Sequence, residues 1–586
     1  MLYPLSYGGP GLRRTAYRCC GGAAYAGRVT PEQLSASIVA ALTSLVERGA
    51  VTLPDGVPAT VVVERPRNRD HGDWATNVAL QLGKKAGVPP RELASLLADE
   101  LASAAGVSQV EVAGPGFLNI TVDAGAQGAL VLDVLKAGKA YGHSASLAGR
   151  SFNVEFISAN PTGPLHLGHT RWAAVGDALA RVLAAAGANV SREFYVNDRG
   201  SQMDKFGASL EAAALGLPVP EDGYHGAYIA DLAHAVVAGN PGILDLPPAE
   251  RLVAFREAGY RLQLQEQRDQ LEAFHTVFDV WFSERRLHED GKVEHGLEVL
   301  DKQGHLFEAD GALWMRTTDH GDDKDRVLRR SNGELTYFAS DTAYYVDKRE
   351  RGFDTCVYLL GADHHGYVNR LKAMAACAGD DPEANIEVLI GQLVKILRGG
   401  EEVRLSKRAG TIVTLQELVE LIGVDALRYS LARYPADSPL TLDVEQITRA
   451  SSDNPVYYVQ YAHARLSSIL RNAADLDVSA DPGGPDGGLD LGQLTHEREG
   501  ELLRSLADFP RVVAGAAQLR EPHRVARYLE DTASTFHKFY DVCRVLPQGD
   551  EEPTELHRAR LALVAATRTV VANGLDLLGV TAPERM

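Results

Sequence analysis

The chain has 586 residues, too many for a single hydrophobic core, so three or four domains are expected. With 45% hydrophobic and 23% charged residues and no unbroken apolar run of membrane length, the sequence excludes a helical membrane protein. A formal charge of −19 argues against a generally basic nucleic-acid binder, so an RNA partner would need a local positive track. The five cysteines offer neither a disulfide framework nor a CxxC zinc pair, and a reducing cytoplasm fits them best.

Residues 1–28 are rich in glycine and arginine and show no helical period. They read as a disordered tail or as a mis-assigned leader, with Val29 as the true start. From Thr30 the pattern becomes regular, with Thr30 and Pro31 suited to open a helix over Leu34–Glu47. A small α/β domain is expected over 29–145: a strand at Thr60–Val63, helices over Trp74–Ala86 and Ala94–Ala105, and a strand pair turned at Gly114-Pro115-Gly116. A second unit opens at Ser151. Here a short strand through Val154 and Phe156, a loop, a helix over Thr170–Ala186 and a strand at Arg192–Val196 read as the first half of a doubly wound sheet. This domain is expected over 146–440, interrupted by a mostly helical insertion at about 201–320 and resuming with a buried strand at Thr355–Leu360. Residues 441–586 read as all-helical, broken by the Gly/Pro-rich loop Ser479–Gly488.

Two stretches carry chemistry. The first, EFISANPTGPLHLGHTR (Glu155–Arg171), sets His166 and His169 at the mouth of a helix. Helix N-termini attract phosphate through free N–H groups and the helix dipole. Histidines three apart share a face, and Gly168 leaves room for a nucleotide against the backbone. The competing reading, a pair of structural or metal-binding histidines, lacks a third ligand nearby. The second stretch, RLSKRAG (Arg404–Gly410), places Ser406 and Lys407 in a glycine-ended turn; alone it would be an ordinary solvated basic turn. Paired with the first, its ammonium can close on the β and γ phosphates as charge builds on leaving pyrophosphate.

Together these stretches resemble the two ATP signatures of class I aminoacyl-tRNA synthetases, with Arg404 standing where the family's first lysine is usual. FYVNDRGSQ (Phe194–Gln202), NGELTYFASDTAYY (Asn332–Tyr345), GADHHGYVNRL (Gly361–Leu371), NPVYYVQYAHAR (Asn454–Arg465), APERM (Ala582–Met586) and the Asp425–Arg428 block DALR resemble the arginyl-tRNA synthetases in particular. HGDWATNVAL and AGPGFLN resemble that family's N-terminal domain.

The resemblance implies a Rossmann-type class I catalytic domain with a parallel sheet, a small α/β N-terminal domain that touches the tRNA's outer corner, and an all-α anticodon-binding domain. It implies ATP with Mg2+, L-arginine and tRNA(Arg) as partners, a cytoplasmic monomer, no membrane association and no editing domain. Arginine would be activated to arginyl-adenylate in a tRNA-dependent step and passed to the 2′-hydroxyl of the terminal adenosine. Pro161, Gly163, His166, Gly168, His169, Arg404 and Lys407 would hold ATP, with His166, His169, Ser406 and Lys407 catalytic. A guanidinium offers five fixed donors, so carboxylates are expected around it. Asp341 and Tyr337, one helical turn apart, would grip it, while Glu155 and Asn160 hold the α-amino and carboxylate groups. Asp363 and His364 would line the adenosine or arginine pocket, His364 being counted with the arginine-binding residues. Tyr457, Tyr461 and Arg465 suit stacking on unpaired anticodon bases, and Tyr458 and Tyr461 are read as sharing a face, with Tyr457 pointing elsewhere. No resident metal is expected. The alternatives are a shorter type of HLGH nucleotidyl transferase, against which the length and helical tail argue, and a synthetase-like paralogue acting as an arginine sensor or RNA-binding scaffold.

Overall fold

Buried strands alternating with long helices require a sheet covered on both faces. The computed structural model describes residues 31–66, 71–122, 124–402, 413–480 and 489–586. Residues 1–30, with the adjacent Cys19 and Cys20, and Arg404, Ser406 and Lys407 lie outside the described residues. Contacts divide the chain into two compact units, residues 1–129 and 130–586.

In the first unit, strands β1 (Trp74–Thr76), β2 (Val107–Ala113) and β3 (Phe117–Val122) form an antiparallel sheet in the order β1-β3-β2. The helices Pro31–Glu47 and Pro90–Leu101 cover it through Leu34, Ile38, Leu42 and Leu45 and through Leu93, Leu97 and Leu101, each set spaced by three or four residues. The turn at Gly114-Pro115-Gly116 joins β2 to β3 as expected. Two expectations fail. Trp74–Thr76 is strand rather than helix, because Trp74 and Thr76 alternate into the core opposite Ile120 and Leu118, and helix runs only over Val78–Leu82. Thr60–Val63 forms no strand, and pairing there is one bridge between Glu64 and Ala75.

The second unit is built on five parallel strands: β4 (Ser151–Glu155), β5 (Asn189–Val196), β6 (Val280–Ser283), and, after the antiparallel strands β7 (Leu306–Ala309), β8 (Ala312–Met315) and β9 (Arg326–Arg329), β10 (Thr355–Gly361) and β11 (Ile386–Gly391). Their order is β11-β10-β4-β5-β6, so strand order reverses between β4 and β10. That switch point opens a crevice at the carboxyl ends of both strands. The helix Leu167–Ala185 lies against β4 so closely that a Cβ on Gly176 would sit 2.5 Å from the Phe156 ring.

Residues 201–320 do contain three long helices, Ser201–Ala214, Ala227–Gly239 and Pro248–Ala273. The same stretch also supplies β6, the sheet's edge strand, and the β7–β8 hairpin. Four-residue strands such as Val-Trp-Phe-Ser are too short to produce a readable period.

Beyond the sheet, β12 (Val394–Arg398), β13 (Glu401–Glu402) and β14 (Leu440–Asp443) form a small sheet in the order β13-β12-β14. Four long helices follow: Pro455–Asp475, Glu497–Leu519, His523–Val542 and Glu555–Leu577. The DALR block roots them. Arg428 has no exposed surface; it pairs with Asp177 at 2.6 Å and donates to the carbonyls of Phe274 and Leu578. Asp425 accepts from Thr581 N and from Gln460, and His463 Nδ1 lies 2.8 Å from the Pro583 carbonyl, so the last residues are tied down. Among the described residues, no helix is long and apolar enough to cross a membrane.

Candidate active site

The turn that leaves β4 is bent by two residues with positive φ, Ile157 at 71° and Ser158 at 45°. For a β-branched residue this conformation costs about 1–3 kcal/mol and persists only where its surroundings impose it. Those surroundings are visible: the Ser158 hydroxyl donates to Glu155 Oε1 at 3.0 Å and accepts from Tyr195 N at 3.1 Å. Further along, Gln267 donates to the carbonyls of Asn160 and Gly163, and the Tyr228 hydroxyl donates to that of Thr162. The long insertion helices thus hold the loop through its backbone. Pro161 is buried in it, while the Asn160 side chain is exposed.

The loop ends on His166, which caps the Leu167–Ala185 helix. Its Nδ1 accepts from Gly168 N at 3.2 Å, and His169 Nδ1 accepts from His166 N at 3.3 Å. The two rings lie 3.8 Å apart between centroids. With both Nδ1 atoms accepting, this hydrogen-bond pattern assigns the proton of each neutral ring to Nε2. Burial lowers the pKa of His166, and burial together with the neighbouring His166 lowers that of His169 to about 3. At neutral pH the pair offers two uncharged N–H donors at a helix N-terminus.

Chain returning from the second stretch meets this turn. His166 forms an antiparallel bridge with Thr414, Leu167 N donates to the Val413 carbonyl at 2.9 Å, and Leu415 N donates to that of Leu165 at 2.8 Å.

Beside the turn, three strand ends and one helix deliver carboxylates around Tyr195. The charges of Glu284, Asp341, Glu155 and Asp198 all act on its hydroxyl, and burial with these charges raises its pKa. Asp341, half-buried on the Tyr337–Glu350 helix, accepts from the Tyr367 hydroxyl at 3.0 Å. Burial, with Glu155 nearby, lifts its pKa to about 6. Glu284, buried at the end of β6, is lifted to about 7 by burial and by Asp341 and Asp198 against the pull of Arg199. Asp198 is spent internally, accepting from Tyr260, Ser283 and the Arg285 backbone. Tyr337 is exposed, its hydroxyl within 3.8 Å of where a Cβ on Gly200 would stand. The turn after β10 brings His364 edge-on to Tyr367, with ring centroids 6.2 Å apart.

Glu155, expected to hold the substrate's α-amino and carboxylate groups, already has partners within the chain. Its Oε2 pairs at 2.6 Å with Lys348, whose ammonium is fully buried between the rings of Tyr344 and Tyr358. The neighbouring Glu193 is likewise closed, by a bidentate Arg351, Tyr344 and Asn153. Sequence reading missed Glu284, Tyr195, Lys348 and Tyr367. Only the FYVNDRG and GADHHGYVNRL blocks pointed near any of them.

The anticodon candidates occupy a separate helix, Pro455–Asp475. Tyr457 and Tyr461 stack in parallel, 6.1 Å between centroids, because residues four apart share a helical face. The expectation that Tyr457 points away from Tyr461 is therefore wrong. Arg465 lies 5.1 Å from the ring centres of both Tyr461 and Tyr540, and Tyr458 turns towards His537. Tyr461 and Tyr540 remain more than a third exposed.

Comparison with known proteins places this geometry. The arginyl tRNA synthetase N terminal domain matches residues 32–122, the catalytic domain of class I (R) tRNA synthetases matches 131–219 and 256–431, and the DALR anticodon binding domain matches 459–586. The DALR tetrapeptide at 425–428 thus falls within the catalytic match. An arginine–tRNA ligase of Kineococcus radiotolerans is 56% identical over 95% of this chain and 100% of its own. One of Frankia alni is 57% identical over the same shares. The solved arginyl-tRNA synthetase of Thermus thermophilus superposes with a TM-score of 0.71 at 25% identity, covering 94% of this chain and 99% of that one. Matched along nearly its whole length, the chain belongs to the arginyl-tRNA synthetases of class I.

Proposed function

We propose that the chain is an arginine–tRNA ligase that activates L-arginine with ATP and passes it to the 2′-hydroxyl of the terminal adenosine of tRNA(Arg). The observation that carries this reading is the cluster of carboxylates around Tyr195, Asp341 and Glu284 among them, on a fold that also sets two neutral imidazoles at a helix N-terminus. Two carboxylates that make no ion pair with Lys, Arg or His among the described residues suit a guanidinium and penalise uncharged analogues, which would leave their charge uncompensated.

Asp341 and Glu284 receive the guanidinium, with Tyr337 at the rim and His364 behind Tyr367. Glu155, braced by Lys348, faces the α-ammonium beside Asn160. The Nε2–H groups of His166 and His169, with the N–H groups of the helix start, donate to the ATP phosphates; Pro161, Gly163 and Gly168 shape the floor. Arginine's carboxylate oxygen bonds to the α-phosphorus as pyrophosphate leaves. The ribose 2′-oxygen then attacks the adenylate carbonyl and AMP departs. The protein's part is placement and charge. Mg2+ enters with ATP as part of that substrate. Arg404, Ser406 and Lys407 serve the pyrophosphate, a reading supported by the attachment of Val413 and Thr414 to the histidine turn. Tyr457, Tyr461 and Arg465 receive anticodon bases. The chain works as a monomer in the cytoplasm.

Pyrophosphate exchange with each of the twenty amino acids, with and without tRNA, tests the assignment. Exchange with arginine alone is expected, and only when tRNA is present. Exchange with another amino acid overturns the specificity, and no exchange at all would favour an arginine sensor or RNA scaffold.

A further inference from the structure

His305, His320 and Cys377 come from three separate elements, yet their ligand atoms all lie within 4.8 Å of one another. His305 follows the Lys292–Lys302 helix, His320 ends the turn Thr317–His320 after β8, and Cys377 closes the Val368–Cys377 helix. The two imidazoles meet edge to face with centroids 4.9 Å apart. Cys377 is fully buried, and its thiol makes only a long 3.7 Å bond to the Arg316 carbonyl, so the sulfur has little to lose by taking another partner. Asp319, next in sequence to His320, is close enough for its charge to reach both His305 and Cys377.

We propose that these side chains form a site for a borderline-soft transition-metal ion, with Zn2+ the ion they fit. Two imidazoles and one thiolate supply three of four tetrahedral positions, and a water supplies the fourth. Ideal zinc geometry sets such ligand atoms about 3.5 Å apart. The site therefore closes by about 1 Å, mostly through His320, which is exposed and can turn. On binding, the Cys377 S–H bond is replaced by an Sγ–metal bond and its proton passes to solvent. Sequence spacing could not announce this site, since its ligands are drawn from positions 305, 320 and 377.

The ion would pin the β7–β9 sheet to the end of the Val368–Cys377 helix. The opposite end of that helix carries Arg370, stacked on Tyr367, the hydroxyl partner of Asp341. The metal site thus shares no residue with the proposed arginine site and stands at the far end of the helix that carries Arg370.

The test uses the untagged full chain, stripped with a chelator and titrated with Zn2+ against a competing chelator. One Zn2+ per chain is expected, with a rise in the thermal midpoint. Co2+ in its place should give the charge-transfer absorption of a cobalt–thiolate bond. Cys377→Ser should abolish that absorption, and His320→Ala should weaken Zn2+ at least about tenfold while leaving arginylation at the parent rate. Should Cys377→Ser fail to fold, the exposed His320→Ala still decides. Absence of stoichiometric binding, or binding indifferent to His320→Ala, overturns the proposal.

Discussion

Lys348 donates to Glu155 Oε2 across 2.6 Å from a side chain with no solvent exposure. Removing one partner of a buried pair leaves the other charge uncompensated, which typically costs about 3–5 kcal/mol. Lys348→Met is therefore expected to destabilise the chain by that amount in urea unfolding. The double variant with Glu155→Gln should recover a good part of it. Additive losses in the two single variants would show that the pair is not coupled.

Arginine binding at the proposed site should be sensitive to acid. Asp341 titrates at about 6 and Glu284 at about 7, both raised chiefly by burial, and only their ionised forms attract a guanidinium. As pH falls through this window, protons compete with substrate, so kcat/KM for arginine should drop from pH 8 to pH 5.5. Asp341→Asn should raise the arginine KM at pH 8 by the equivalent of about 1.5–3 kcal/mol and flatten the lower part of the profile. An unchanged profile would remove Asp341 from the pocket.

Gly168→Ala separates stability from chemistry. The added Cβ would stand 3.0 Å from His166 Cε1 and 3.2 Å from its Nδ1, disturbing the ring. Alanine is nevertheless the better helix former by about 1 kcal/mol. The melting temperature should hold or rise while pyrophosphate exchange falls about 10²-fold, the usual loss for a misplaced transition-state donor.

His169 ties stability to pH. Burial lowers its folded pKa to about 3 from an ordinary value of 6.5, so between those limits the unfolded chain binds more protons. Stability should therefore rise with pH up to about 6.5 and level off above it, with His169 contributing at most about 1.4 kcal/mol per pH unit. In His169→Gln, denaturant midpoints measured from pH 4 to pH 7 should show a shallower slope.

Base stacking on an aromatic is worth about 1–3 kcal/mol. Tyr461→Ala should therefore raise the KM for tRNA about tenfold and leave the KM for ATP alone. Arg465→Ala should act in the same direction and lessen the salt dependence of tRNA binding. Equal tRNA affinity across these variants would return the stacked tyrosines to simple packing.

Legibility followed the range of the interactions. The His166–His169 turn was readable because its chemistry lies within one stretch, where a helix start and a spacing of three suffice. The β4–helix–β5 unit was readable for the same reason. Glu284 was not, since a carboxylate in ERRLHE looks like any solvated acid until β6 is placed beside β5. Lys348 was hidden likewise: in DKRE it reads as surface, and only the three-dimensional packing of Tyr344 and Tyr358 around it reveals a buried ammonium. The DALR block, read from sequence as a family label, turns out to be a structural rivet, with Arg428 and Asp425 holding the chain's last turn.

The bridge between His166 and Thr414, with the two backbone hydrogen bonds beside it, joins two distant parts of the sequence. Lys407 stands seven positions before Thr414 in the sequence. Under the proposed function, adding or deleting one residue between Gly410 and Val413 is expected to lower pyrophosphate exchange although every side chain assigned to the site is kept.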